Sequence, residues 1–288
     1  MSELKLYIAP TSLDQAVACL KGGDVTIFAG GTDLTPQTQS GKIKFKQTLM
    51  NIRHVPELSG ITLEGADIRI GALASITEIM DSPLVRQHLP VLVDACDHFA
   101  SDQIRNAGTL GGNICNASPA GDMLIPLLVL DASVELACMR GARLHKRNMP
   151  LSEFFTGPGK TRRTPDELLT AVRIRVPEPG HVAHFHKLGT RPALDISTIS
   201  IGIAGTLANG RLSNVRVAFG AVAPTPVRAA LTEQALEGQR LDEAAIENAA
   251  NIARDEVTPI DDVRASAWYR KEMIHNITRR MLNHVAQA

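Results

Sequence analysis

Two glycine pairs in this chain are suited to chemistry done by the main chain rather than by side chains. FAGGTDL at 28–34 follows a β-branched run, and TLGGN at 109–113 opens the stretch TLGGNICNASPAGD, whose side chains are mostly too small to fill a core. Consecutive glycines gather peptide N–H groups with no β-carbon in the way, and such clustered amides hold phosphate oxygens. Thr32, Thr109 and Asn113 place polar side chains beside them. A lone Gly-Gly step is most often a tight turn. Two such steps, each with a threonine and a further polar residue attached, point toward an anionic ligand.

Other site chemistries fail when tested. Neither cluster is G-x-G-x-x-G, so a Rossmann site has no support. FFTGPGKT at 154–161 imitates the end of a P-loop, but Phe154 stands where the first glycine belongs and Pro158 removes an amide. His181, His184 and His186 lie in a strand-like run, where His184 and His186 share a face and His181 does not; no cysteine or carboxylate accompanies them, so no metal site is assigned. There is no C-x-x-C, H-E-x-x-H or G-x-S-x-G, and no catalytic acid, base or nucleophile is nominated.

The elements that must position the glycines can be traced along the chain. An extended start leads to Ser12 with Gln15 three residues on, a capping-box spacing ahead of Leu13, Ala16, Val17 and Leu20 at helical intervals. VTIFA at 25–29 reads as a strand running into the first glycine pair. IRIGAL reads as a strand, Ser75 and Glu78 cap a short helix, and LPVLVDACDHFAS reads as a helix that ends before the second pair, which is expected in a loop. SVELAC and LLTAVRIRVP alternate as strands, and PEPG at 177–180 is the expected domain boundary. Beyond it AHFHKLG, ISTISIGIAGTLANG and LSNVRVAFGAVAP predict an antiparallel sheet with Asn209-Gly210 as a hairpin turn, followed by helices.

Composition narrows the classes of partner. The chain has 288 residues, 44% of them hydrophobic, enough for substantial cores. Lys+Arg and Asp+Glu are both 30, and no basic run is interleaved with aromatics, which argues against nucleic acid. No apolar run approaches the roughly 18 residues of a membrane span, so no integral membrane segment is expected. Four widely separated cysteines, and a start without an apolar signal core or twin arginine, predict a cytoplasmic location.

FAGGTDL, QIRNAGTLGGNICNASPAGDMLIPLLVLDASVEL, PLSEFFTGPGKT and HKLGTRPALDIS, in this order, resemble the FAD-binding subunit of the molybdenum hydroxylases. That family includes the flavin domain of xanthine dehydrogenase and the medium chain of aerobic carbon monoxide dehydrogenase. VRVAFGAVAPTPVRA and RASAWYR extend the resemblance to the C-terminal region. It implies an α+β fold: a two-subdomain PCMH-type (vanillyl-alcohol-oxidase-like) FAD-binding domain at 1–176, with subdomains of about 1–55 and 56–176, then a C-terminal antiparallel sheet with helices at 177–288.

The resemblance also implies the site. The FAD pyrophosphate would lie between Ala29, Gly30, Gly31, Thr32, Asp33 and Leu34 on one side and Thr109, Gly111, Gly112 and Asn113 on the other. Asp122 matches a residue that contacts the adenosine part, and Lys187 a cation near the flavin. Phe99 and Leu169 match apolar residues against the cofactor, though each reads equally well as core. Asn106, Asn116 and Ser118 belong to the second loop without an assigned role.

Four cysteines cannot ligate two [2Fe-2S] clusters, Cys115 has no cysteine near it in sequence, and ASVELACMRGARLHKRNMP carries only Cys138 where one branch of the family has a cysteine-rich insertion. The resemblance therefore implies an electron-transfer flavoprotein subunit whose partners are a large molybdopterin subunit and a small subunit with two [2Fe-2S] clusters, assembled as a dimer of heterotrimers. Two other readings stand beside it: a stand-alone FAD-dependent oxidoreductase, and a binding module whose glycine pairs are only turns.

Overall fold

A computed structural model describes residues 4–287. The chain begins with β1 (Leu6–Ile8), α1 (Leu13–Leu20), β2 (Val25–Phe28), α2 (Leu34–Gln39) and β3 (Thr48–Asn51), and the three strands form a parallel sheet in the order β1-β3-β2. Ser12 caps α1 by accepting from the Gln15 amide. The expected reciprocal bond is displaced by one residue, because the Gln15 carboxamide accepts from the Thr11 amide. Leu13, Ala16, Val17 and Leu20 bury one face of α1 against Met50, Ile52, Val55 and Leu58, the arrangement their helical spacing requires.

The middle of the chain contains β4 (Ile61–Glu64), β5 (Asp67–Gly71), α3 (Ile76–Asp81), α4 (Pro83–His88), α5 (Pro90–Asp97), α6 (Asp102–Ala107), α7 (Leu110–Asn116) and α8 (Leu124–Val129). It continues through β6 (Ser133–Arg140), β7 (Arg143–Pro150), β8 (Phe155–Gly157), β9 (Lys160–Thr161) and β10 (Leu168–Arg175). An antiparallel sheet runs β4-β5-β10-β6-β7. Alternation sends Ile68, Ile70, Val134, Leu136, Val172 and Ile174 into the main core. Glu135, Arg69 and Arg173 take the opposite face, where Glu64 and Glu135 both pair with Arg173. FFTGPGKT forms the small β8-β9 hairpin, with Gly159 at φ +68°.

The last part holds β11 (His181–Leu188), β12 (Ile199–Ala208), β13 (Arg211–Gly220), β14 (Val227–Arg228), α9 (Ala230–Leu236), α10 (Glu243–Glu256) and α11 (Ala267–Ala286). Its antiparallel sheet runs β11-β12-β13-β14, and Asn209 (φ +51°) and Gly210 (φ +71°) turn β12 into β13. The two faces of this sheet differ in size of side chain. Ile199, Ile201, Ile203, Val217 and Phe219 point into a second core with the helices, whereas Gly202, Ala204, Ala218 and Gly220 form a thin face toward α8. A β-carbon at Gly202 would stand 3.0 Å from both Ile125 and Val129 of α8. All six residues of α8 are buried, so this helix is the shared wall between the middle and last parts of the chain.

Candidate functional site

The first glycine loop leaves its amides bare. The carbonyl of Phe28 at the end of β2 accepts from Ile52, after which the chain turns through Gly31 at φ +73° into α2. A β-carbon at Gly31 would lie 2.5 Å from the Phe28 ring, so only glycine suits this bend in both space and conformation. The main-chain N–H groups of residues 30–33 donate to no group among the described residues. Asp33 sits at the N-cap of α2 without capping it, and its carboxylate accepts from Gln37 Nε2 at 2.7 Å. No residue of α2 is buried.

The second loop is not a loop. Thr109 is the N-cap of α7, its hydroxyl accepting from the Gly112 amide at 3.1 Å, and Leu110, Gly111, Gly112 and Asn113 form the first turn of that helix. Thr109 pairs with Ser75 in an isolated antiparallel bridge beyond the end of β5. The Leu110 and Gly111 amides consequently donate to the carbonyls of Ala74 and Ala72, each at 2.9 Å. Gly111 is buried, and a β-carbon there would stand 2.8 Å from Ala72; Gly112 is exposed, with only the Thr109 hydroxyl within reach. Neither glycine has a positive φ.

The two segments meet. A β-carbon at Gly30 would fall 2.0 Å from the carbonyl oxygen of Ala107, just ahead of Thr109, so the absence of a side chain lets the loops abut. Gln37 bridges them again by donating to Asn116 Oδ1 at 3.1 Å. Beside this junction Asn113 Oδ1 is buried without a hydrogen-bond partner, and a buried polar atom left in that state calls for a ligand or solvent to satisfy it. The bare amides of the first loop are donors suited to a pyrophosphate, which several amides satisfy without a metal, whereas Asn113 Oδ1 is an acceptor and suits a hydroxyl, an amine or a water rather than a phosphate oxygen. The residues present fit FAD. A cavity of about 410 Å³ is lined by Thr109 and Ala107 together with Arg53, Ser75, Thr77 and Asn106.

Asp122 and Lys187, given different parts of the dinucleotide by the resemblance, share one ion pair. Lys187 Nζ donates to Asp122 Oδ2 at 2.6 Å and to the His98 carbonyl at 2.9 Å, and Ser197 Oγ donates to Asp122 Oδ1 at 2.7 Å. Both ionic side chains are about nine-tenths buried, at 6% and 11% exposure. Burial pushes the Asp122 carboxyl above the usual carboxylate range, while the Lys187 ammonium, the two hydrogen bonds and the nearby His98 pull it back.

Leu169 lies 3% exposed in the main core, and Phe99 packs half-buried against the same core while its carbonyl accepts from Arg105. Ala29 packs against the core under α1. Cys115 is exposed and all four cysteines are free thiols. The three strand histidines are separated: His184 meets His284 edge-on at 4.9 Å, and His186 meets Arg280 at 2.9 Å. Among the described residues, no group of three or more His, Cys, Asp or Glu is placed to hold a metal ion, and no helix is long and apolar enough to cross a membrane. Reading the sequence residue by residue missed Gln37, the His98 carbonyl and Ser197, each of which acts across a long separation along the chain.

The family model described as FAD binding domain in molybdopterin dehydrogenase matches residues 2–179, and that described as CO dehydrogenase flavoprotein C-terminal domain matches residues 183–285. The chain is 36% identical to the xanthine dehydrogenase FAD-binding subunit of Escherichia coli O157:H7, over 100% of its own length and 98% of the relative's. A solved carbon monoxide dehydrogenase of Hydrogenophaga pseudoflava, which lacks the Mo-pyranopterin moiety of the molybdenum cofactor, contains a similar chain at TM-score 0.92 and 30% identity, covering 98% of this chain and 97% of that one. Quinoline 2-oxidoreductase of Pseudomonas putida 86 gives TM-score 0.90 at 26% identity, with 100% and 98% covered.

Proposed function

The chain belongs to the FAD-binding subunits of the molybdopterin dehydrogenases, and from that premise we propose that it is the electron-transfer subunit of a multi-subunit molybdenum hydroxylase. Its partners are a large molybdopterin-binding subunit and a small subunit carrying two [2Fe-2S] clusters, in a cytoplasmic dimer of heterotrimers. Substrate is oxidised on the large subunit, and this chain holds the carrier through which electrons leave. When bound, FAD supplies a group that takes up electrons singly and gives them up singly or in pairs.

The chain's own residues bind and orient. The amides of residues 30–33, without acceptors among the described residues, hold the pyrophosphate, and this is the observation that carries the reading. Gly112 and Asn113 face the same ligand from the N-terminal turn of α7, where the helix dipole adds to the attraction for an anion. Asp122 orients a hydroxyl-bearing part of the dinucleotide, and Lys187, held between Asp122 and the His98 carbonyl, is a fixed buried cation on the wall of the site. Phe99 and Leu169 close the apolar side.

Co-expression with the two partner chains tests this. The purified assembly is expected to contain about one FAD for each copy of this chain, with iron and molybdenum on the others, and to turn over a substrate that the chain by itself does not. Substrate-dependent turnover by the metal-free chain alone would replace the subunit reading with a stand-alone FAD-dependent oxidoreductase.

A further inference from the structure

Asp122 precedes α8, yet both donors that hold its carboxylate come from the C-terminal sheet and the segment leading into it. Lys187, near the end of β11, takes Oδ2; Ser197, two residues before β12 and 1% exposed, takes Oδ1. Ser197 is not free to swing away. The segment between the two donors closes on itself, with Asp195 accepting from the Thr190 hydroxyl at 2.8 Å and the Thr198 amide donating to the Leu188 carbonyl at 2.8 Å. The groups that face Asp122 are therefore Lys187 from β11, Ser197 from this segment and His98 from the end of α5.

We infer that Ser197 is a positioning residue of the flavin site: its hydroxyl, donating to Asp122 Oδ1, keeps the carboxylate aimed at Lys187 and so fixes where the buried ammonium stands. This rests on the flavoprotein reading above. A carboxylate that loses a hydrogen bond to its charged form binds a proton more readily. Burial already pushes the Asp122 carboxyl upward, so removing the Ser197 hydroxyl raises it further.

The sign of the effect on stability follows from proton linkage. At acid pH, where Asp122 is protonated with or without Ser197, the loss of the hydroxyl matters little. As pH rises through the wild-type folded value, the wild-type carboxyl ionises with its hydrogen bond in place, while the variant holds its proton and falls behind. The stability gap between wild type and Ser197→Ala therefore widens toward alkaline pH. A hydroxyl that only filled space would give a gap independent of pH.

The test is the Tm of the chain, as wild type and as Ser197→Ala, followed from the ordinary carboxylate range upward, from pH 4 to pH 9. The gap is expected to be wider by about 3 °C or more at the alkaline end than at the acid end. Repeating the pair in an Asp122→Asn background should abolish the pH dependence, because the titrating group is gone. In the assembled complex at pH 8, Ser197→Ala is expected to retain FAD several-fold less tightly. A gap that stays constant with pH, or one that still widens in the Asp122→Asn background, overturns the role of Ser197 and leaves the flavin reading untouched. A wild-type complex that carries no FAD overturns the flavin reading and the assignment of this cluster to it, and is recognised because the Tm signature persists.

Discussion

In FAGGTDL the amides of residues 30–33 face no acceptor among the described residues, whereas in TLGGN those of Leu110 and Gly111 are taken by the carbonyls of Ala74 and Ala72, and that of Gly112 by its own N-cap. The same dipeptide thus serves two ends. In the first loop it bares donors. In the second, Gly111 lets a helix start against the backbone of another segment, and Gly112 alone is left at the surface. A glycine pair offers amides to a phosphate only where those amides have nothing else to bond; the second pair offers instead a side-chain-free surface at the start of α7.

The sharpest way to break this comparison is at the point where the loops touch. Gly30→Val would drive a β-carbon toward the Ala107 carbonyl, 2.0 Å away even before the branch is counted, and is expected to lose about 3 kcal/mol of stability together with FAD. Urea unfolding and FAD content measure both. A variant as stable as wild type with full FAD would show that the loops need not abut.

Gly112→Val separates binding from folding. Its β-carbon would meet only the Thr109 hydroxyl, and the backbone there is helical, so the stability change should stay near ~1 kcal/mol, the usual value of an N-cap. On the proposed site, a branched side chain at this position should weaken FAD binding by about tenfold or more, ~1.4 kcal/mol. Flavin fluorescence titration decides it; unchanged affinity would remove α7 from the pyrophosphate site.

The smallest effect belongs to Thr109→Ala. Loss of the cap should lower stability by ~1 kcal/mol, while FAD affinity changes by less than about threefold, since the freed Gly112 amide can turn to the phosphate. A large loss of affinity would mean that the hydroxyl itself contacts the ligand.

Much of the scaffold could be read locally. Ser75 and Glu78 form the full reciprocal capping box, the run of Ile199, Ile201 and Ile203 alternates into one core, and Asn209-Gly210 makes the hairpin turn. These signals act within a few residues, so the sequence carries them. The helical start at Thr109 could not be read in that way, because Ala72, Ala74 and Ser75 determine it from more than thirty residues upstream. Nor could α2, which buries nothing and so has no apolar period. The ion pair at Asp122 joins side chains 65 positions apart, with the Ser197 hydroxyl 75 positions away, and neither local pattern nor the family resemblance, which gives Asp122 and Lys187 different parts of the dinucleotide, points to that pairing.

The thin glycine and alanine face of the last sheet bears on how modular the chain is. With no bulk at Gly202 or Gly220, α8 sits close to that sheet, and the Asp122 clasp is fastened at the same seam. We therefore expect the two sides of the PEPG turn to depend on each other for stability. A fragment ending there would carry α8 with one flank bare, and the remaining piece would present a flat strip shaped for that helix and nothing else. The halves expressed together from two genes should then elute as one species, and a pair that stayed apart would show the seam to be weaker than its geometry.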